Sequence, residues 1–318
     1  MSATSRTDVL LAIALAVFVG WQVVHPMSGG VGLASLVLVL GLFAIGFNFS
    51  FGMAGLLSFG HAAMFGIGGY ALMLAVTRLQ WGFMPSLLSA AVVGAMLAGA
   101  IGMVSLRASG LFFALLTLAF AQLVSILVGT KFRGLFGGAD GLPGVPRPAL
   151  FGLDFGLDEN FLLFLIAVFV LATLFAWLLR ASPFGMALNA VRANDVRAAQ
   201  VGLNVQRLRL SAFMLSGAYA AVGGALMASL LRYVSPQMLL WTVSGDVIIM
   251  TVLGGSGTLL GPVIGVAVFE ILKEELSRLT PHWYLFLGAI FIVSTLYLPR
   301  GIAGLIAAGL ARKERRHG

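Results

Sequence analysis

Residues 31–50 read VGLASLVLVLGLFAIGFNFS, twenty positions without a charge. Leu, Val, Ala and Phe follow one another with no polar stripe to face water and no strict alternation. A bilayer core of about 30 Å is crossed by roughly 20 apolar residues in a helix. Lipid accepts only helices or closed barrels, because every backbone polar group must be paired within the protein. Without the dyad alternation of a barrel strand, the stretch is a spanning helix. The expected fold class is an all-α polytopic membrane bundle, with no strands.

The rest of the chain repeats the pattern. Ten apolar runs stand out, at 9–25, 31–50, 59–77, 83–106, 110–129, 160–180, 208–231, 243–254, 258–277 and 282–299. The run 243–254 is too short to span alone and is expected to extend a few residues each way. The 318 residues are 60% hydrophobic and 9% charged, with mean hydropathy +1.05. A soluble domain carries about 25% charged residues, so soluble enzymes, disordered chains and fibrous proteins are excluded. One transmembrane domain over 1–318 is expected, its first run a retained helix rather than a cleaved signal, since no small-x-small site precedes a soluble region. There is no cysteine, which removes disulfides, thiolate metal sites and cysteine nucleophiles. The net charge is +8. The basic residues cluster at segment ends and in short loops, as on the cytoplasmic side of a membrane protein, so nucleic acid is not an expected partner.

Charge placement also sets orientation. With ten spans and a cytoplasmic N-terminus, twelve basic residues face three acidic ones on the side of the termini, and seven face eight on the other. Lys and Arg favour the cytoplasmic side, so both termini are expected inside. Loop 130–159, rich in Gly and Pro, then lies outside. Loop 181–207 (ASPFGMALNAVRANDVRAAQVGLNVQR) lies inside and reads as one or two short helices, with a short amphipathic helix ending at Gly202, a usual C-terminal position for glycine. Arg192 and Asp195, three apart, are expected to share a face. The tail 311–318 (ARKERRHG) reads as a basic anchor. A weak repeat relates 52–57 (GMAGLL) to 254–259 (GGSGTL). Each links two apolar runs, and glycine-interrupted segments in matching places mark the central pathway of many transporters.

Catalytic signatures are missing from the sequence. No P-loop and no His-Glu-x-x-His occur, and the histidines at 25, 61, 282 and 317 lack ligand spacing. Ser256 in Gly-Gly-Ser-Gly is not a nucleophile elbow. Loop 181–207 has two readings on residues alone: a rigid charged knob that a soluble partner grips, or a solvated connector.

Five stretches decide between them. They are GMAGLLSFGHAAMFGIGGY (52–70), GLFFALLTLAFAQ (110–122), GGADGLPGVP (137–146), the segment from Ser182-Pro183-Phe184-Gly185 through Ala198-Ala199 to Gly202-Leu203-Asn204-Val205, and VLGGSGTLLGPVIG (252–265), closed by Leu298-Pro299-Arg300-Gly301. In order and spacing over about residues 30–303 the chain resembles the LivM-type permease subunits of ATP-binding-cassette importers for branched-chain amino acids. The resemblance implies a permease of the bacterial inner membrane that catalyses nothing and holds no metal or cofactor, ATP being bound by its partners. Those partners are a second, LivH-like permease, two cytoplasmic ATPases and a periplasmic substrate-binding protein. It also implies that loop 181–207 is the ATPase-coupling segment, with Asn189, Arg192, Asp195, Arg197, Ala198, Ala199 and Gly202 at the contact. Urea, short amides and aromatic acids are the alternative cargoes of this broad family.

Polar residues inside a bilayer are costly and usually face the bundle interior. Candidates to line the path are Asn48, Ser58, His61, Thr117, Gln122, Ser216 and Tyr219. His61 either lines or gates the path or bonds a neighbouring backbone at a helix end, and Asn48 and Ser50 have helix capping as their simpler role. Thr117, Gln122 and Ser125 do not share one stripe, so only one or two of them face a path. Glu270, the one acid deep in a run, is three residues from Lys273 and suits an ion pair. A secondary transporter would need coupling carboxylates at mid-membrane, and Glu270 is the single candidate.

Overall fold

The computed structural model describes residues 3–24, 30–147, 149–150, 153–298 and 301–306. Each of the ten apolar runs falls on a helix. The helices are α1 (Ala3–Val24), α2 (Gly30–Asn48, continued by a π-helical turn Phe49–Met53), α3 (His61–Thr77), α4 (Phe83–Ser105), α5 (Leu111–Gly129), α6 (Arg133–Phe136), α7 (Asp158–Ala181), α8 (Pro183–Ala193), α9 (Asp195–Gln200), α10 (Val205–Leu231), α11 (Trp241–Gly254), α12 (Gly261–Leu279) and α13 (Trp283–Tyr297). Among the described residues six helical stretches, 31–53, 83–105, 111–129, 158–181, 205–231 and 283–306, are long and apolar enough to cross a membrane unaided. The apolar helices His61–Thr77 and Trp241–Gly254 are shorter, and α12 carries Glu270, Lys273, Glu274, Glu275 and Arg278.

α10 is the hub, packing on α4, α3 and α2. Small residues make this possible. A Cβ on Gly94 of α4 would overlap Ala221 of α10, and one on Gly68 of α3 would overlap the Ala221 backbone. Without side chains between them the helix backbones touch, the usual way helices associate in lipid. Asn204 starts α10 by accepting a hydrogen bond from the Arg207 N–H at 3.0 Å, satisfying one of the donors a helix N-terminus leaves free.

The structure corrects three expectations. α11 gains only two residues on the 243–254 run and stops at Gly254, because Gly255 turns the chain with φ +113°. At fourteen residues it is about 21 Å long, short of the bilayer core. Strands do occur outside the bundle: β1 (Leu142–Pro143) pairs antiparallel with β4 (Tyr233–Val234), and β2 (Ala149–Leu150) with β3 (Leu153–Asp154). Loop 181–207 folds into two short helices, α8 and α9, as the sequence allows, but Arg192 and Asp195 are divided between them. Asn194, at φ −164°, separates the two helices and caps α9 by accepting from the Arg197 N–H at 2.9 Å. Arg192 and Asp195 therefore sit on different helices and do not share a face. Gly202 does turn the chain after α9, at φ +88°. The basic tail 311–318, with Pro299 and Arg300, lies outside the described residues.

Candidate functional site

The two glycine links that resemble each other in sequence meet in space. Asn48, the last residue of α2, donates from Nδ2 to the Thr258 carbonyl at 2.7 Å, and its Oδ1 accepts from the Gly257 N–H at 3.0 Å. A side chain thus pairs two backbone groups of the 255–260 link that neither α11 nor α12 can satisfy. Gly52 lies directly against this contact: a Cβ there would stand 2.8 Å from the Gly257 nitrogen. The Arg192 guanidinium, from α8, donates to the Gly52 carbonyl. A Cβ on Gly257 would lie 3.0 Å from the same Nη1. One arginine of the loop 181–207 therefore reaches the joint between both breaks.

Beside this joint begins α3, and its N-terminus is buried. The first N–H groups of a helix have no intrahelical acceptor, and in lipid none comes from water. Side-chain hydroxyls from other elements supply them. The Phe59 N–H donates to Thr117 Oγ1 of α5 at 3.2 Å, Gly60 to Ser58 Oγ at 3.0 Å, and Ala62 to Ser244 Oγ of α11 at 2.8 Å. Thr117 in turn donates to the Ala114 carbonyl at 2.8 Å. His61 is fully buried between Phe47 and Phe213, whose rings meet its edge at 4.9 and 5.3 Å. Its Nε2 is 2.6 Å from Ser216 Oγ.

Five of the seven path candidates, Asn48, Ser58, His61, Thr117 and Ser216, thus gather around the α2–α3 break as internal ties. Neither sequence reading of His61 names its partner, which is a serine side chain of α10. Tyr219 stands apart, its hydroxyl donating to the Ala172 carbonyl of α7 at 2.7 Å. Gln122 is half-buried on α5. Ser244 is the residue that sequence reasoning missed; the signal was a hydroxyl in a short apolar run, as at Thr117. The ion pair of Glu270 with Lys273 is present at 3.1 Å.

The surface of α8 and α9 is open. Asn189, Arg197, Ala199 and Gly202 are exposed, and Ala198 is buried and anchors α9 to the body. Asp195 forms an ion pair with Arg209 at 3.3 Å rather than with Arg192. Val196 and Val201 project with 64% and 77% of their surface exposed. The opposite end is closed by loop 130–159. There the Arg147 side chain is 7% exposed and sits over the Phe161 ring at 4.5 Å. It bonds Asp158 at 2.7 Å and the carbonyls of Gly156, Ser229 and Leu230 at 3.1, 3.4 and 3.3 Å.

Paired helix breaks, buried hydroxyl caps and one exposed basic-acidic knob suit a conduit worked from outside. Residues 29–295 match the family described as the permease component of the branched-chain amino acid transport system. The chain belongs to this permease family. It is 28% identical over 335 residues, 98% of this chain and 78% of the relative, to the high-affinity branched-chain amino acid transport system permease protein LivM of Salmonella typhimurium, and equally to that of Escherichia coli. The autoinducer 2 import system permease protein LsrC of Klebsiella pneumoniae is 30% identical over 202 residues, 60% of this chain and 54% of the relative. No solved structure matches the chain significantly. The protein is a multi-pass transmembrane permease subunit of an ATP-binding-cassette importer. The family match covers the joint, the capped α3 terminus and both ends of the permease.

Proposed function

We propose that the permease carries branched-chain or related hydrophobic amino acids inward across a bacterial inner membrane, as one half of a pair with a second permease. A periplasmic binding protein delivers the amino acid, and two cytoplasmic ATPases, which bind the ATP, drive the pair. The ten helical runs are ten crossings with both termini cytoplasmic. α8 and α9 dock in an ATPase, with Asn189, Arg192, Asp195, Arg197, Ala199 and Gly202 at or next to the contact and Ala198 holding α9 in place.

The observation that carries this reading is Arg192. It lies on the exposed knob and holds the carbonyl of Gly52, at the point where the two helix breaks touch. A push on α8 reaches α2, α3, α11 and α12 through one guanidinium and the Asn48 bridge. Alternating access then needs no deformation of the tightly packed α4–α10 core. Glycine and the π turn give the joint its freedom, since regular helix is stiff and breaks are where backbone rearranges.

The test is a mild-detergent pull-down of the tagged chain from its own membrane, followed by radiolabelled leucine uptake into vesicles holding whatever co-purifies. Two ATPases and a second permease are expected, with ATP-dependent leucine uptake. Recovery of the chain alone, or uptake that persists without ATP, overturns the reading. Uptake of urea or an amide in place of leucine keeps the machine and replaces the cargo.

A further inference from the structure

A cavity of about 330 Å³ lies between α2, α3, α10, α11 and α12. That is within the range of about 300–1,000 Å³ usual for small-molecule sites. Its lining shares no residue with the Arg192 joint and reaches to Ser235 and Gln237 in the connection before α11. It has two chemically distinct sides. One is apolar, built by Phe43, Phe65 and Met250, each at most 2% exposed. The other presents Asp246 of α11 with Glu270 and Lys273 of α12. Lys273 Nζ is already held by both Glu270 oxygens, at 3.3 and 3.1 Å. Among the described residues no hydrogen bond or ion pair holds the Asp246 carboxylate. Two carboxylates therefore share one ammonium beside a large apolar wall.

A buried charge is tolerated when it is paired, and removing a partner leaves a costly orphan. Glu270 is buried and Asp246 half-buried, and with one ammonium between them the set is one cation short. A ligand bringing an ammonium completes it, and a ligand that also brings a carboxylate can meet the exposed side of Lys273. The adjoining wall of Phe and Met accepts an aliphatic chain but gives no hydrogen bond. We infer that this cavity is a within-subunit site for an α-amino acid zwitterion with a branched aliphatic side chain, the ammonium on Asp246 and Glu270 and the carboxylate on Lys273. This inference rests on the amino-acid reading above and adds to it a location inside this chain. Glu270 and Lys273 then act as a fixed receptor for the head group, and not as a proton relay.

The experiment uses the complete importer in proteoliposomes, with its binding protein and a diazirine analogue of leucine as the probe. After illumination, labelled peptides are mapped by mass spectrometry. Labelling is expected on the α11 and α12 peptides bearing Asp246 and Lys273. Excess leucine should remove it, and excess 4-methylpentanoate, which lacks the ammonium, should not. Asp246→Asn should lower this labelling fivefold or more while labelling of the binding protein stays unchanged. Among the described residues no hydrogen bond or ion pair holds the Asp246 side chain, so this variant keeps the fold; Val243→Trp, which narrows the same cavity, is a second variant with the same expected loss. If the unaltered importer takes up leucine but labels elsewhere in the pair, or if Asp246→Asn labels normally, the site is wrong and the importer reading stands. If the unaltered importer takes up no leucine, the amino-acid reading falls and the site with it.

Discussion

Each end of the bundle is tied by one arginine, and the two ties are built differently. Arg147 is buried and spreads its guanidinium over a carboxylate and three carbonyls, two of them at the C-terminus of α10. Every carbonyl left free by the helix end is a buried acceptor in need of a donor, and Arg147 answers two at once. Arg192 starts from an exposed helix and touches a single carbonyl, that of Gly52. Many bonds from one side chain make a fixed closure. One bond at the meeting of two glycine breaks makes a contact that can be made and released. The comparison separates a tie of many buried bonds from a tie of one bond at an exposed helix, which is the end the proposed ATPase contact would move.

The largest effect should come from the fixed end. Arg147→Ala leaves the Ser229 and Leu230 carbonyls unmet and strips the cation from Phe161, a loss of roughly 3 kcal/mol or more. Thermal unfolding of the purified importer should show a clearly lower midpoint, with uptake falling only in proportion to folded protein. A tenfold loss of uptake per folded molecule would mean that this end moves too, and the contrast would fail. Next in size is Ser216→Ala. It removes the side-chain partner of the buried His61 Nε2, and an unsatisfied buried group costs about 1–3 kcal/mol. A midpoint equal to the unaltered chain would show that His61 finds another partner.

Arg192→Ala should reverse the ratio of the two losses. One hydrogen bond at a partly exposed site contributes about 1 kcal/mol, so the midpoint moves little. Uptake should fall at least tenfold, because the knob then pushes on nothing. Arg192→Lys keeps the charge without the fork and should recover part of it. Equal uptake in a well-expressed Arg192→Ala importer sinks the joint as the transmission point.

Much of this was legible in the sequence because lipid leaves few choices. A run such as 31–50 has to be a helix, and all ten runs are. The pairing of GMAGLL with GGSGTL was visible as a repeat. That the two touch was not, since Asn48 and Thr258 are 210 positions apart and nothing in either segment names the other. The polar residues were found, but their partners were not. Ser58, Thr117 and Ser216 read as path-lining hydroxyls, and the structure adds that they bond the buried start of α3 and His61, because a helix N-terminus in lipid needs acceptors from somewhere. Arg147, set between Pro146 and Pro148 in a Gly-rich loop, carried no periodic signal at all. The misplaced pairing of Arg192 with Asp195 had a readable cause. Asn194-Asp195-Val196-Arg197 is the start of a new helix, with Asn at the cap and an acid in the first turn.

The smallest effect on stability belongs to Asp195, and it is the sharpest probe of what the exposed end does. Its ion pair with Arg209 is exposed on the Asp195 side and half-buried on the other, 49% and 28% for the side chains, and such surface pairs contribute about 0–1 kcal/mol. Asp195→Asn and Arg209→Gln should both leave the unfolding midpoint unchanged. Their uptake should differ. If the pair matters only within the chain, the two variants lose uptake equally, and the double variant loses no more than either. If Asp195 meets an ATPase, Asp195→Asn lowers uptake severalfold, Arg209→Gln hardly at all, and exchanging the charges with Asp195→Arg and Arg209→Asp does not restore it. We expect the second pattern, because α9 offers Asp195 beside exposed Val196, a polar rim on an apolar centre, which is the composition of a docking surface. The first pattern would make α9 a brace for α10 and leave Arg192 alone as the contact between the knob and the joint.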